Sequence, residues 1–159
     1  MKFDKIDRQI LEILQTSSNI TNAELASRVG ISPPGMLERV KRLEKSGVIK
    51  NYVALVNHDL AEKGTMAFVS VGIKVHDVDA VQDFKDKIME LDEVLECYHI
   101  AGENDFLLKV VIRDIKEYEN FVISKLNPIK GVSRIRTSFV LSNIKYNTKL
   151  KINNPDEEN

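Results

Sequence analysis

The residues best suited to chemistry are cationic side chains in the first third of the chain. Five of the nine basic residues up to Lys50 fall between Arg39 and Lys50. A guanidinium group can form two parallel hydrogen bonds to a guanine edge, whereas an ammonium group is a point charge suited to phosphate. The sequence therefore predicts nucleic-acid binding, with Arg39 and Arg42 on bases and Lys41, Lys45 and Lys50 on phosphates.

This cluster gives the two parts of the chain opposite charges. Residues 1–50 carry nine basic and six acidic side chains, a net charge of +3, so the rest must carry −4 to reach the overall −1. A composition of 43% hydrophobic and 30% charged residues is typical of a globular protein. Apolar runs are too short for a membrane span, and the N-terminus lacks a signal-peptide core. We therefore expect a cytoplasmic protein with no membrane partner.

Three helices must position the cationic cluster. Asp4 can cap the first helix, and the capping box Thr21-Asn22-Ala23-Glu24 begins the second. Gly30 ends the second helix, and Ser32 caps a third whose first residue is Pro33. The few residues around Gly30 force a sharp turn between the second and third helices. This spacing is typical of a helix-turn-helix, although a plain three-helix bundle with a solvated charged face remains the alternative.

The third helix is predicted to bury Met36, Val40 and Leu43 and to present its opposite face to DNA. The N-terminus of the helix, with Ser32, offers N–H donors to a phosphate. Glu38 also lies on this face, where an acidic side chain would oppose the phosphates unless it accepts a hydrogen bond from cytosine N4 or orients an arginine. The residues predicted to contact DNA are Ser32, Pro34, Gly35, Glu38, Arg39, Lys41, Arg42 and Lys45.

The rest of the chain alternates between strand and helix patterns. Residues 48–56 are β-branched and aromatic enough for a strand that links two domains. The later strands are predicted at 65–75, 94–100, 106–112 and 132–141, and the helices at 78–91 and 115–126. We predict a helix-turn-helix domain at 1–50, a β hinge at 51–64, a βαββαβ domain at 65–148, and a tail at 149–159 that is disordered beyond Ile152.

The fold class is therefore α+β, with an N-terminal winged-type helix-turn-helix domain and a C-terminal ferredoxin-like βαββαβ domain. Both helices of the second domain lie on one face of a four-stranded sheet. The other face needs a partner, so we infer at least a dimer, which also suits a helix-turn-helix that reads two half-sites. Cys97 lies in an apolar stretch and is expected to be a buried, inert thiol.

A βαββαβ domain also occurs in proteins of other functional classes. An enzyme is disfavoured because His58, His76 and His99 are far apart, with no acidic or cysteine partner at ligand spacing. We predict no catalytic residues, no metal site and no cofactor. An RNA-recognition domain requires aromatic residues on its third strand, where only Phe106 is aromatic. A stand-alone amino-acid sensor that does not bind DNA is the remaining alternative.

Several motifs, in order, resemble the leucine-responsive regulator and asparagine-operon regulator (Lrp/AsnC) family over residues 4 to about 150. They are Asp4-x-x-Asp7, Glu24-Leu25-Ala26, Val29-Gly30-Ile31-Ser32, Arg39-Val40-x-x-Leu43-Glu44-x-x-Gly47-Val48-Ile49 and Gly102-x-x-Asp105. The resemblance implies a feast/famine regulator of amino-acid metabolism that forms dimers and an octamer of four dimers. Glu38 stands where relatives often carry a basic residue, and Gly35 makes the start of the third helix less rigid. The operator sequence of relatives therefore cannot be assumed for this chain.

The resemblance also implies an effector, usually an amino acid, that binds between neighbouring dimers near the Gly-x-x-Asp turn and changes assembly or DNA affinity. Without it, Gly102 and Asp105 are as well explained by a simple hairpin turn. The effector residues implied are His99, Ile100, Ala101, Gly102, Glu103, Asn104 and Asp105, with Thr137 and Ser138 on the last strand.

Overall fold

The computed structural model of the protein describes residues 3–74 and 78–152. Within these residues the chain forms two compact units. The first runs to Leu55 and takes in the chain again from Lys145, and the second runs from Val56 to Ile144. Val75 and His76, which entered the sequence predictions, lie outside the described residues.

The first unit contains three helices that begin at the predicted caps. They are α1 (Lys5–Leu14), α2 (Asn22–Val29) and α3 (Pro33–Lys45). Asp4 and Thr21 each form a complete capping box, and the Ser32 hydroxyl accepts from the Gly35 N–H at 3.3 Å. Gly30 ends α2 in the left-handed region at φ 79°, which a side chain would disfavour. The predicted helix-turn-helix is confirmed.

One apolar core holds these helices together. Its buried members are Ile10, Leu11, Leu25, Ala26, Met36, Val40 and Leu43. The predicted buried stripe of α3 is therefore confirmed, and its opposite face points away from the core.

The C-terminal segment belongs to this first unit, which differs from the predicted tail at 149–159. The Leu150 N–H donates to Gln15 Oε1 at 2.7 Å, and Gln15 Nε2 donates to the Leu150 carbonyl at 3.2 Å. Ile152 packs against the three-helix core. The second unit accordingly ends at Ile144 rather than at residue 148. Residues 153–159 lie outside the described part of the chain.

The predicted hinge strand at 48–56 is not a strand in the structure. Val53, Leu55 and Val56 are more than 60% exposed. A strand is stabilised by hydrogen bonds to a neighbouring strand. Within the described residues no strand lies beside this segment, which explains why its β-branched composition is not sufficient.

The second unit has the predicted βαββαβ order. Its strands are β1 (Thr65–Ile73), β2 (Val94–His99), β3 (Phe106–Ile112) and β4 (Val132–Phe139), antiparallel in the order β2-β3-β1-β4. Its helices are α4 (Val78–Met89) and α5 (Ile115–Phe121), the latter extended by a π-helical turn over Val122–Leu126. The ferredoxin-like arrangement is confirmed.

The two faces of the sheet differ. Alternate residues of β1 and β3, from Ala67 to Ile73 and from Phe106 to Ile112, are buried in one core with residues of α4 and α5. Their neighbours along each strand point the other way. We call that side the open face. By the strand register it carries Met66, Phe68, Ser70, Glu96, Tyr98, Leu107, Lys109, Arg134, Arg136 and Ser138.

The prediction that Cys97 is buried is wrong, because its residue is exposed in the structure. It lies on β2, an edge strand of the sheet, where the helices give less cover than over β1 and β3. Partial desolvation still raises the pKa of its thiol, which disfavours the reactive thiolate.

Candidate nucleic-acid interface and effector site

The face of α3 that is predicted to contact DNA, which we call the recognition face, lies opposite the buried stripe. Met36, Val40 and Leu43 form that stripe and hold α3 in the core. Opposite this stripe the structure exposes Pro34, Glu38, Lys41 and Lys45 together. Ser32 is exposed at the start of the helix, whereas Gly35 is only partly exposed. In the part of the chain that the structure describes, no ion pair engages Lys41 or Lys45. These ammonium groups can therefore meet phosphates without breaking an internal contact.

Arg39 and Arg42 are placed differently, because both guanidinium groups bind acidic residues of the first helix. Arg42 Nη2 donates to Asp7 Oδ1 at 2.6 Å and to Oδ2 at 2.7 Å. Arg39 Nη1 donates to Asp7 Oδ1 at 2.9 Å and to Asp4 Oδ2 at 2.6 Å. The Asp7 side chain is only 2% exposed. The two arginines therefore connect α3 to α1, a role that the sequence prediction missed.

Electrostatic interactions in this cluster favour the charged forms of Asp4 and Arg39. The Asp7 backbone N–H, and then the Arg39 guanidinium, hold the pKa of Asp4 below its usual value. The hydrogen bond to Asp4 in turn raises the pKa of Arg39. Matching spacings in the sequence, Asp4-x-x-Asp7 and Arg39-x-x-Arg42, are the signal from which this contact could have been found, since residues three apart share a helix face.

The Gly-x-x-Asp turn joins β2 to β3. The Ile100 N–H donates to the Asp105 carbonyl at 2.9 Å, and the Asp105 N–H donates to the Val71 carbonyl at 3.0 Å. Asp105 Oδ2 accepts from the Ile73 N–H at 2.7 Å. Gly102 has φ 151°, in the region that favours glycine. The Asp105 carboxylate thus fixes the turn to β1, whatever else it binds.

Side chains beside the turn carry both charges. Glu103 pairs with Arg134 at 3.2 Å and with Arg136 at 3.4 Å. The buried Asn104 Oδ1 has no hydrogen-bond partner within the described residues. The His99 ring stacks on Phe106 with centroids 4.9 Å apart. The structure therefore brings residues 99–105 together and adds two arginines that the sequence prediction did not include.

Thr137 and Ser138 are separated from each other by the sheet. Thr137 pairs with Val69, and its hydroxyl is hydrogen-bonded to that of Tyr118 on the helix side. Ser138 pairs with Phe68 on the open face. Arg136 and Arg134, which pair with Ser70 and Gly72, lie nearer to the turn along β4. A side-chain period of two explains why adjacent strand residues cannot line one surface.

A cavity of about 310 Å³ lies elsewhere in the second unit and contains none of the predicted effector residues. Leu95 and Val111 form apolar parts of its wall, and His58, Asp92 and Glu93 form polar parts. Glu93 Oε1 accepts from Lys125 Nζ at 2.5 Å, whereas its buried Oε2 has no hydrogen-bond partner within the described residues. This cavity is the competing location for a small ligand.

The described part of the chain consists of residues 3–74 and 78–152. Among them, no three histidine, cysteine or acidic side chains meet in a way that could hold a metal ion. Over the same ranges, none of the helices has the length and apolar character needed to cross a bilayer.

Both units of the chain match known protein families. Residues 3–50 match the family described as winged helix-turn-helix DNA-binding, and residues 66–150 match the Lrp/AsnC ligand binding domain. The leucine-responsive regulatory proteins of Klebsiella pneumoniae and Escherichia coli (strain K12) are each 36% identical over 149 residues, 94% of this chain and 91% of theirs.

Solved structures agree over nearly the whole chain. A transcriptional regulator from Neisseria meningitidis, in complex with L-Met, has a TM-score of 0.91 at 38% identity and covers 96% of this chain and 98% of its own. An AsnC family transcriptional regulator from Agrobacterium tumefaciens has a TM-score of 0.87 at 34% identity and covers 94% of this chain and 97% of its own. These relatives are regulators of transcription and not enzymes. The chain, with its helix-turn-helix and its ligand-binding domain, belongs to the Lrp/AsnC family of transcriptional regulators.

Proposed function

We propose that this regulator binds specific DNA sequences in genes of amino-acid metabolism, and that an amino-acid effector changes its DNA affinity or its assembly. The observation that carries the DNA part is the exposed face of α3, where Pro34, Glu38, Lys41 and Lys45 point away from the core of a helix-turn-helix. Such a helix enters the major groove with the cationic residues on the phosphates. We place the protein in the cytoplasm, where it meets DNA and free amino acids.

Self-association is the second part of the proposal. The open face exposes Phe68 and Tyr98 on a sheet whose other face is covered by helices. A second copy packed against this face would bury them and place two α3 helices on one DNA duplex. Half-sites would then lie about 34–36 Å apart, one turn of DNA. Four such dimers would form an octamer around which DNA bends.

The effector part of the proposal concerns the turn at 99–105. Arg134 and Arg136 supply cations for a carboxylate, and Glu103 and Asp105 supply acceptors for an ammonium group. The turn lies at the surface of one chain, so a neighbouring copy would enclose the ligand. The Neisseria meningitidis relative is in complex with L-Met, which supports an amino acid as the class of effector.

DNA binding can be tested without disturbing the fold by changing Lys41 and Lys45 together to glutamine. We expect the affinity for duplex DNA to fall about tenfold. The slope of log K against log [salt] should also become less negative by about two, because each phosphate contact contributes roughly −0.9 to that slope. Fluorescence anisotropy over a range of salt concentrations measures both. Charge reversal of Arg39 and Arg42 would be a poor test, since they hold α3 to α1.

The matched control is Lys87→Gln together with Lys125→Gln, which removes the same charge from exposed lysines of the second unit. It should leave the salt dependence unchanged. An unchanged salt slope in the α3 variant, or equal slopes in both variants, would remove α3 from the interface. A chain that binds no duplex at low salt would overturn the DNA-binding proposal itself.

The effector can be identified by the melting temperature with each of the twenty amino acids at millimolar concentration. A ligand that binds only the folded state stabilises it by RT ln(1 + [L]/Kd), about 2.7 kcal/mol at a hundredfold excess over Kd. We expect one or a few amino acids to raise the melting temperature of the wild type. Asp105→Asn should remove that increase, because asparagine keeps an acceptor for the Ile73 N–H but has lost the charge.

Asp92→Asn is the control, since Asp92 lines the separate cavity. It should retain the full increase. Loss of the increase in Asp92→Asn and its retention in Asp105→Asn would assign the ligand to the cavity instead of the turn. Failure of every amino acid to change the melting temperature would contradict an amino-acid effector.

A further inference from the structure

Leu37 is an exposed apolar side chain on α3. Within α3, all of whose residues are described, it is the one large apolar residue that is exposed, at 41%. It was not among the residues that the sequence predicted for DNA contact. A single exposed leucine on a protein surface needs no explanation by itself. Leu37, however, lies beside the recognition face, where DNA is proposed to bind.

Leu37 lies three residues after Pro34 and four before Lys41, so the three side chains follow one strip along the helix. Pro34 and Lys41 are exposed, and both belong to the face proposed to enter the major groove. This strip starts in the first turn of α3, the part of a recognition helix that comes closest to base edges. Leu37 is therefore placed for contact with bases rather than with the core.

The arginine contacts limit which bases the helix can read. The guanidinium groups of Arg39 and Arg42 are engaged by Asp4 and Asp7. Direct readout by arginine is the commonest way to recognise guanine, and both candidates on α3 are committed elsewhere. The side chains left on the face include Leu37, whose chemistry offers no hydrogen bond but offers an apolar surface.

The major groove presents one apolar group, the C5-methyl of thymine. We propose that Leu37 is a specificity-determining residue that contacts the methyl group of a thymine in each half-site. This inference rests on the proposed DNA binding and makes it more specific. It assigns recognition at that position to burial of a methyl group, with the lysines confined to phosphates.

The test replaces thymine by uracil, which removes the methyl group and keeps the pairing and the O4 acceptor. Duplexes bound by the wild-type protein are first selected from a random pool, and each thymine is then replaced in turn. We expect one thymine in each half-site whose replacement weakens binding by a factor of about four, the effect of burying one methyl group. Leu37→Ala should bind thymine and uracil duplexes equally.

Lys41→Gln is the matched control, because it changes the neighbouring side chain and should preserve the fourfold discrimination. The exposure of Leu37 means that Leu37→Ala should melt as the wild type does, which separates recognition from folding. The inference is overturned if the wild type is indifferent to every uracil, or if Leu37→Ala still discriminates. Failure to select any duplex is a different result, since it overturns the proposed DNA binding first.

Discussion

Replacing Asp7 by alanine is expected to destabilise the first unit by about 3 kcal/mol, near the lower end of the range for removing one partner from a buried ion pair. Asp7 is 2% exposed and accepts hydrogen bonds from both Arg39 and Arg42. Its loss removes the carboxylate that both guanidinium groups share and leaves Arg39 with Asp4 alone. The side chains of Arg39 and Arg42 are 26% and 50% exposed, so water recovers part of the cost.

For a unit of this size the loss corresponds to a decrease of more than about 10 °C in its melting temperature, which calorimetry or circular dichroism can measure. DNA affinity should fall as well, because the contacts of Asp7 hold α3 against α1. Asp4→Ala is the control. Asp4 is half exposed, and we expect it to cost about 1 kcal/mol, the value of an N-cap with an exposed ion pair. Equal losses in the two variants would show that the buried carboxylate has no special role.

The parts of the fold that could be predicted from the sequence are those fixed by neighbours along the chain. The caps Asp4, Thr21 and Ser32 act within three residues, so their helices begin where the sequence indicates. Strand β3, Phe106–Ile112, is found at its predicted bounds because its alternating residues fill the core. Capping and periodicity depend on residues that are close together in the sequence, so both can be identified without the rest of the structure.

The errors concern contacts between distant residues. Leu150 binds Gln15 across 135 residues, which no local pattern indicates. The segment 48–56 has strand composition, but a strand depends on a neighbour elsewhere in space. On β4 the register places Arg134 and Arg136 nearer the turn than Thr137, and no local pattern in the sequence indicates this.

Arg39 and Arg42 show how a correct surface assignment can still miss a contact within the chain. Helical periodicity puts Arg42 away from the core stripe of α3, and its side chain is indeed half exposed. Periodicity does not reveal that α1 brings a buried carboxylate to the same side. We therefore look for base contacts among side chains that the fold leaves available, such as Leu37, and for phosphate contacts among lysines such as Lys41.

Replacing Phe68 by glutamate is expected to convert an assembled protein into a monomer. Phe68 is 39% exposed on β1, a central strand, and its ring lies on the open face between Lys109 and Ser138. In a two-fold interface each substitution counts twice. Burial of a phenylalanine side chain is worth about 1.5–3 kcal/mol, so loss of two should raise the dimer dissociation constant by at least about a hundredfold.

Sedimentation velocity at micromolar concentration measures this change directly, and DNA affinity should fall with it because one recognition helix then acts alone. Met89→Glu is the control, since Met89 is 86% exposed at the end of α4 and its helix packs on the covered face. It adds the same charge and should leave the assembly intact. A monomeric wild type, or a Phe68→Glu variant with the sedimentation coefficient of the wild type, would show that the open face does not join two copies. If only Met89→Glu dissociated the protein, the interface would lie on the helices, and the two recognition helices would have to reach DNA from another arrangement.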